Sequence, residues 1–323
     1  MRIIVFGSGE FAIPTFDSIT FDGHDVPAVV TQPDRARGRG KEPKPTPLKA
    51  VALEAGIPVI SPENVNAPEV VEQIRSLKAD LGYVAAFGQK LGPELLSMFP
   101  AGMVNLHGSI LPAYRGAAPI QRAVMNGDEF TGVTVFRIVE KMDAGPILIQ
   151  RRTGISPDET SDELHDRLAR IGCDAVRETI KLLEANPRHP GEPQDESKVT
   201  IAPKLKKSDG RITFDVPVEK LSSRICGLWS WPGAFCRFIS KDGKRDEIVT
   251  IARAAPYEGK ASPAASPDQL GVVTEMMSIQ AIDSELMILE IKPAGGKLMA
   301  WSDYVNGRRV QPGDRFVPAE IET

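Results

Sequence analysis

Cysteine is scarce in this chain. Cys173, Cys226 and Cys236 are the only three among 323 residues, an odd number without metal-ligand spacing. Neither a disulfide framework nor a zinc site is expected, which leaves packing as their role. Long apolar runs are missing as well. The apolar start, residues 1–6, is soon interrupted by Glu10 and is too short for a signal peptide, and no later stretch could span a bilayer. A cytoplasmic protein with no membrane partner is the expectation. An excess of positive charge is also absent: 39 Lys and Arg against 43 Asp and Glu give a net charge of −4. That excludes a protein that coats nucleic acid through its overall charge, but it leaves room for a local basic surface. There is no internal repeat and no strong low-complexity tract.

What is present is a globular composition, 41% apolar, long enough for two domains. Residues 3–6 form a compact apolar strand, and the turn Gly7-Ser8-Gly9 leads into a helix carrying Phe11, Phe16 and Ile19 on one side. The alternation continues with strands at 26–31, 58–60, 81–87 and 102–106, and helices at 48–55, 70–77, 93–98 and 120–125. Strands at 132–139 and 147–150 form a hairpin-like pair. A long helix starts at Ser161, capped by Thr160 with Glu163 three residues on, keeps Leu164, Leu168, Ile171, Ala175 and Leu182 in register, and ends before Pro187. Parallel strands joined by crossover helices are the economical arrangement, so the first part is α/β with a Rossmann-like, mostly parallel sheet. Proline and polar residues then dominate, and short β-like runs follow at 212–214, 234–239, 248–252, 270–273 and 286–291, with 261–267 as a flexible loop. The expected division is a catalytic domain at 1–186, a linker at 187–206 and a smaller C-terminal β-barrel, OB-like, at 207–323.

Three features bear on function. Gly7-x-Gly9-x-x-Ala12 satisfies a loose dinucleotide fingerprint, but the second strand ends in Val30-Thr31-Gln32-Pro33 rather than in the acid that would bind ribose hydroxyls. A tight βα turn is the better reading. The loop at 34–49 gathers Arg35, Arg37, Arg39, Lys41, Lys44 and Lys49 against Asp34 and Glu42. A cationic loop of that length after a strand end is well placed to touch phosphates beside an active site. The third is Asn105-Leu106-His107-Gly108-Ser109-Ile110-Leu111-Pro112, with Asp143-Ala144-Gly145 further on. Asn105 and His107 are two apart, so in a strand they project to one side at the edge where α/β sheets place ligands. A carboxamide, an imidazole and a carboxylate together can polarise a carbonyl, hold an oxyanion and move a proton, as acyl transfer to an amine requires. A buried polar network that merely ties loops together is the alternative.

The run 105–121 together with Met142-Asp143-Ala144-Gly145 resembles the folate-dependent formyltransferases. Within that group, further motifs resemble the members that act on methionyl initiator tRNA. They are Thr31-Gln32-Pro33-Asp34-Arg35 with Gly38-Arg39-Gly40-Lys41, Arg115-Gly116-Ala117-Ala118-Pro119-Ile120-Gln121, Trp231-Pro232-Gly233 and Asn306-Gly307-Arg308-Arg309. The resemblance implies formyl transfer from N10-formyltetrahydrofolate to the methionyl amino group, with no metal and no covalent intermediate. It implies Asn105, His107 and Asp143 as catalytic residues, and Ser109, Ile110, Leu111 and Pro112 as the folate-binding loop. Asn105 and a protonated His107 would donate to the formyl oxygen, with Asp143 supporting the imidazolium and the proton relay. The tRNA would be held by Arg35, Arg37, Arg39 and Lys41, and by Lys204, Lys206, Lys207, Arg308 and Arg309, with the protein acting as a monomer. A formyltransferase for a small amine, such as an amino sugar nucleotide, and a non-catalytic RNA-binding protein are the other readings. The second domain departs from the family pattern, with Ile201 in place of a tyrosine, Thr213-Phe214 in place of an Asp-Trp pair and Cys226 in place of an arginine.

Overall fold

The computed structural model describes residues 1–36, 43–259, 262–264 and 266–320. It divides into two compact units, one made of Met1–Pro119, Gly132–Thr153 and His165–Ala202, the other of Ile120–Thr131, Gly154–Leu164 and Pro203–Thr323.

The first unit is built on a seven-stranded sheet. Its strands are β1 (Ile3–Gly7), β2 (Val29–Val30), β3 (Val59–Ile60), β4 (Leu81–Ala85), β5 (Met103–His107), β6 (Phe130–Arg137) and β7 (Ile147–Gly154), in the spatial order β7-β6-β5-β4-β1-β2-β3. From β5 to β3 all neighbours are parallel, whereas β6 runs antiparallel to β5. All five residues of β1 and of β4 are buried, which is why these strands read as unbroken apolar runs: a parallel sheet is covered on both faces. The second strand is much shorter than its apolar run because Pro27 has no N–H to give to a ladder. On one face Ile4, Phe6, Val30, Val71, Ile74, Val84 and Leu95 form a continuous core. Helices Ile13–Phe21, Pro47–Glu54, Pro68–Ser76 and Pro93–Met98 occupy the crossovers.

The long helix is Ser161–Ala185. It starts with the expected reciprocal cap, the Thr160 N–H donating to Glu163 Oε2 (2.9 Å) and the Glu163 N–H to Thr160 Oγ1 (3.4 Å). Leu164, Leu168 and Ala175 are buried, while Ile171 and Leu182 are only half-buried and Ile180 and Leu183 lie in the core instead.

In the second unit β8 (Ala234–Ile239), β9 (Asp246–Pro256), β10 (Ile279–Gln280), β11 (Glu285–Pro293) and β12 (Arg315–Val317) form an antiparallel sheet in the order β10-β11-β9-β8-β12. Its two edges are stitched together by bridges from Val272 to Arg315 and from Val273 to Ile279. The result is a nearly closed barrel around Phe238, Phe316, Trp301 and Tyr304. Two expectations change here. Residues 212–214 form no strand; Ile212 and Phe214 are apolar because they are buried in the core. Residues 270–273 contribute bridges rather than a full strand. Helices Val218–Leu228 and Trp301–Arg308 were not expected from the sequence. The loop at 261–267 falls partly outside the described residues.

Candidate active site

Asn105 and His107 end β5, whose register pairs Asn105 with Val84 on β4 and with Phe136 on β6. The Asn105 carboxamide is half-buried and, among the described residues, has no hydrogen-bond partner. His107 is 6% exposed. Its Nε2 lies 2.9 Å from the Tyr114 carbonyl oxygen, an acceptor, so Nε2 carries the proton and donates. Nδ1 faces Asp143 Oδ2 at 3.9 Å. Burial pushes the imidazole below its ordinary range; the Asp143 charge and the Tyr114 carbonyl pull it the other way without prevailing. With the Nε2 proton committed to the Tyr114 carbonyl, Nδ1 is the ring atom left open toward the acid.

Asp143 comes from the turn between β6 and β7 and takes a left-handed backbone conformation, φ 50°. Its Oδ2 accepts the Gly116 N–H at 2.8 Å. Gly145 is required two residues on, since a Cβ there would collide with the Arg137 carbonyl. The imidazole, at the end of β5, and the carboxylate, from the β6–β7 turn, thus approach each other, with Asn105 two residues back along the same strand. Such a trio can polarise a carbonyl and shuttle one proton.

The loop after β5 is self-supporting. Ser109 is fully buried, its Oγ donating to the Ala113 carbonyl (2.6 Å) and its carbonyl accepting from Thr134 Oγ1 (2.7 Å). The Leu111 N–H is taken by Thr134 Oγ1 and its carbonyl by Gln150 Nε2. Ser109 and Leu111 therefore hold the loop's shape, and Ile110 and Pro112, both half-buried, are the members with surface left for a ligand. Among the described residues no group of three or more His, Cys, Asp or Glu could hold a metal ion.

Of residues 187–206, read from sequence as linker, 187–202 belong to the first unit and lie along the loop after β5 and the turn that carries Asp143. Gln194 Nε2 donates to the carbonyls of Asp143 (2.8 Å) and Gly145 (2.7 Å). Its Oε1 accepts from Nε (3.1 Å) and Nη2 (2.8 Å) of the buried Arg115. Nη2 of Arg115 also reaches Glu196 (2.8 Å), and Arg115 together with Lys141 holds that carboxyl down at about 2. Ile201–Ala202 pairs in parallel with Arg115–Gly116. Arg115 and Gly116 could have been singled out from their place just after the His107 loop. Gln194 gives no sequence signal.

Of the expected cationic contacts, Arg35 is exposed and 3.9 Å from Glu63, in a two-residue strand paired with Pro43–Lys44. Lys49 is tied to Asp34 at 2.7 Å. Arg37, Arg39 and Lys41 lie outside the described residues. Lys204, Lys206 and Lys207 are exposed, with no ion pair among the described residues. Arg308 turns inward: its Nε is 2.9 Å from Glu247 and its guanidinium sits over the Tyr304 ring, which leaves Arg309 as the exposed member. Among the departing positions, Ile201 is exposed whereas Phe214 and Cys226 are buried.

Residues 1–180 match the family model described as formyl transferase, and residues 204–309 match the formyl transferase C-terminal domain. The chain is similar to the methionyl-tRNA formyltransferase of Heliobacterium modesticaldum, 40% identical over 323 residues, covering 98% of this chain and 100% of that protein. The methionyl-tRNA formyltransferase of Moorella thermoacetica is 40% identical over 315 residues, covering 97% and 98%. In fold the chain is similar to the crystal structure of HypX from Aquifex aeolicus in complex with tetrahydrofolic acid, with a TM-score of 0.62 at 17% identity. That match covers 94% of this chain but 47% of HypX.

Proposed function

The chain belongs to the formyl transferase family, and from that premise we propose that it formylates the α-amino group of methionyl initiator tRNA, with N10-formyltetrahydrofolate as donor. The observation that carries this reading at the site is the approach of His107 Nδ1 to Asp143 Oδ2, 3.9 Å, beside an uncommitted Asn105 carboxamide. The folate co-substrate supplies the formyl carbon; the new bond forms to the methionyl nitrogen as the bond to N10 breaks. Asn105 donates to the formyl oxygen while negative charge grows there. His107 Nδ1 takes the proton that the attacking amine sheds, and the nearby Asp143 carboxylate stabilises the imidazolium once formed. The proton returns to the folate nitrogen, so the chain ends unchanged. An unperturbed α-amino group has a pKa of roughly 7.7 to 8.0, so no strong base is needed to deprotonate it near neutral pH. Ile110 and Pro112 offer apolar surface to a flat heterocycle, and Lys204, Lys206, Lys207 and Arg309 offer charge to phosphates.

The 40% identity to tRNA-acting relatives over nearly their full length favours this substrate over an amino sugar nucleotide. Incubating the purified protein with formyltetrahydrofolate and either methionyl-tRNA or small amines tests the choice. Formylmethionyl-tRNA as the main product is expected. Product from a sugar amine alone would replace the reading, and no product in any mixture would favour a binding protein. The enzyme is taken to work as a cytoplasmic monomer, which sedimentation at working concentration checks.

A further inference from the structure

Asp143 presents a physical problem. It holds a left-handed φ of 50°, a conformation that is strained for a non-glycine residue and persists only where its surroundings hold it. Its neighbours Lys141 and Met142 are largely exposed, Met142 by 73%, so little apolar packing holds the turn. The Gly116 contact restrains only the carboxylate. Within the turn the Ala144 N–H donates to the Lys141 carbonyl at 3.3 Å, and from outside it is held by the side chain of Gln194, which reaches across 49 to 51 residues of sequence to bind the carbonyls on both sides of Ala144. Both of its N–H bonds are spent on those carbonyls, and both lone pairs of its oxygen are spent on Arg115, the residue that follows the Tyr114 carbonyl gripping His107. A fully satisfied carboxamide in that position joins the turn carrying the acid to the loop whose Tyr114 carbonyl accepts from the imidazole.

We propose that Gln194 is a positioning residue for the transfer reaction, its carboxamide fixing Asp143 at its working distance from His107 through Arg115. The proposal rests on the catalytic reading of Asp143 given above. Chemically, the prediction turns on the difference between an amide and a carboxylate. In Gln194→Glu the oxygen facing Arg115 is kept, and that contact gains charge. The nitrogen becomes an oxygen aimed at two carbonyl oxygens, so the clamp on 143 and 145 is lost while the tie to Arg115 survives. Gln194→Met keeps the length and removes both sets of hydrogen bonds.

The test uses the full-length protein and steady-state formylation of methionyl-tRNA. Gln194→Glu and Gln194→Met are each expected to lower kcat by about 10- to 100-fold, the cost of a misplacement on the order of 1 Å. The KM values for tRNA and folate should stay within about twofold. In an Asp143→Ala background the same changes should cost less than about twofold more, because the residue they position is gone. A second reading needs no turnover: in the free protein labelled at histidine, the NMR titration of His107 should move to lower pH in Gln194→Met, since withdrawal of the Asp143 charge leaves burial unopposed. Unchanged kcat in both variants, or full additivity with Asp143→Ala, overturns the positioning role, as does a His107 titration that does not move. If Asp143→Ala itself leaves turnover intact, it is the catalytic reading of Asp143 that fails, and the NMR result still judges the clamp alone.

Discussion

His107 keeps one nitrogen committed to a backbone carbonyl and the other open toward an acid, and this asymmetry sets what substitution should do. In His107→Ala the proton acceptor is lost while the surfaces for folate and tRNA remain. The kcat should fall by about 10²- to 10⁴-fold with KM nearly constant; a variant that loses binding but not rate would move the catalytic role elsewhere. The pH dependence follows from the sign of the shift. Burial lowers the imidazole's affinity for protons, so the ring stays neutral below its ordinary value of about 6.5, and the acid limb of kcat should lie below that pH. In Asp143→Asn the opposing negative charge is removed, the ring becomes harder still to protonate, and the limb should shift further toward acid as the maximum rate falls. Profiles between about pH 5 and 8 separate these cases; a limb moving upward in Asp143→Asn would contradict the contact. That Asn105 and His107 share one side of a strand end was legible from strand periodicity, whereas the approach of Asp143, 3.9 Å from the ring, came only from the resemblance. The burial of His107 was not legible, since it is produced by residues distant in the chain.

Among the elements, the parallel strands and crossover helices could be read because burial on both faces leaves continuous apolar runs, as in β1 and β4. Helix Ser161–Ala185 announced its start through Thr160 and Glu163. Removing that reciprocal bond with Thr160→Ala should cost about 1 kcal/mol, seen as a lower denaturation midpoint with kcat unaffected; no loss would mean the cap contributes nothing. The strap at 187–202 was illegible for a definite reason: its contacts are scattered hydrogen bonds between Gln194, Thr200 or Ala202 and loops 49 to 88 residues away, and such pairing has no period. Helix Val218–Leu228 was hidden by Ser222, Ser223 and Gly227, poor helix formers whose places tertiary packing fixes. Gly116 joins the strap to the chemistry. At φ 125° a Cβ would lie 2.6 Å from the Ala202 carbonyl oxygen, and the same residue's N–H holds Asp143. Gly116→Ala should therefore lower both stability, by about 1 to 3 kcal/mol, and kcat. A melting scan and an activity assay on one preparation check the two together; a stable variant with full rate would mean that the strap is not joined to the acid.

For the whole molecule the governing quantity is where charge sits, since a net −4 repels a polyanion on average. Binding tRNA then requires cations that no carboxylate neutralises. Lys204, Lys206, Lys207 and Arg309 meet that condition among the described residues, whereas Lys49 and Arg308 are spent on Asp34 and Glu247. Contacts of this kind release counterions, so log(1/KM) for methionyl-tRNA should fall linearly with log salt, by about 0.7 to 0.9 for each phosphate engaged. The KM for the folate co-substrate should change far less. Replacing Lys206 or Lys207 with alanine should reduce the slope by about one each, because each removes one neutralised phosphate, while Arg308→Ala should leave the slope alone and lower barrel stability instead. Steady-state formylation from about 50 to 200 mM salt reads all of these slopes. Equal slopes in the wild type and both lysine variants would place the tRNA on another surface of the protein, and a reduced slope in Arg308→Ala would show that its pairing with Glu247 opens when RNA arrives.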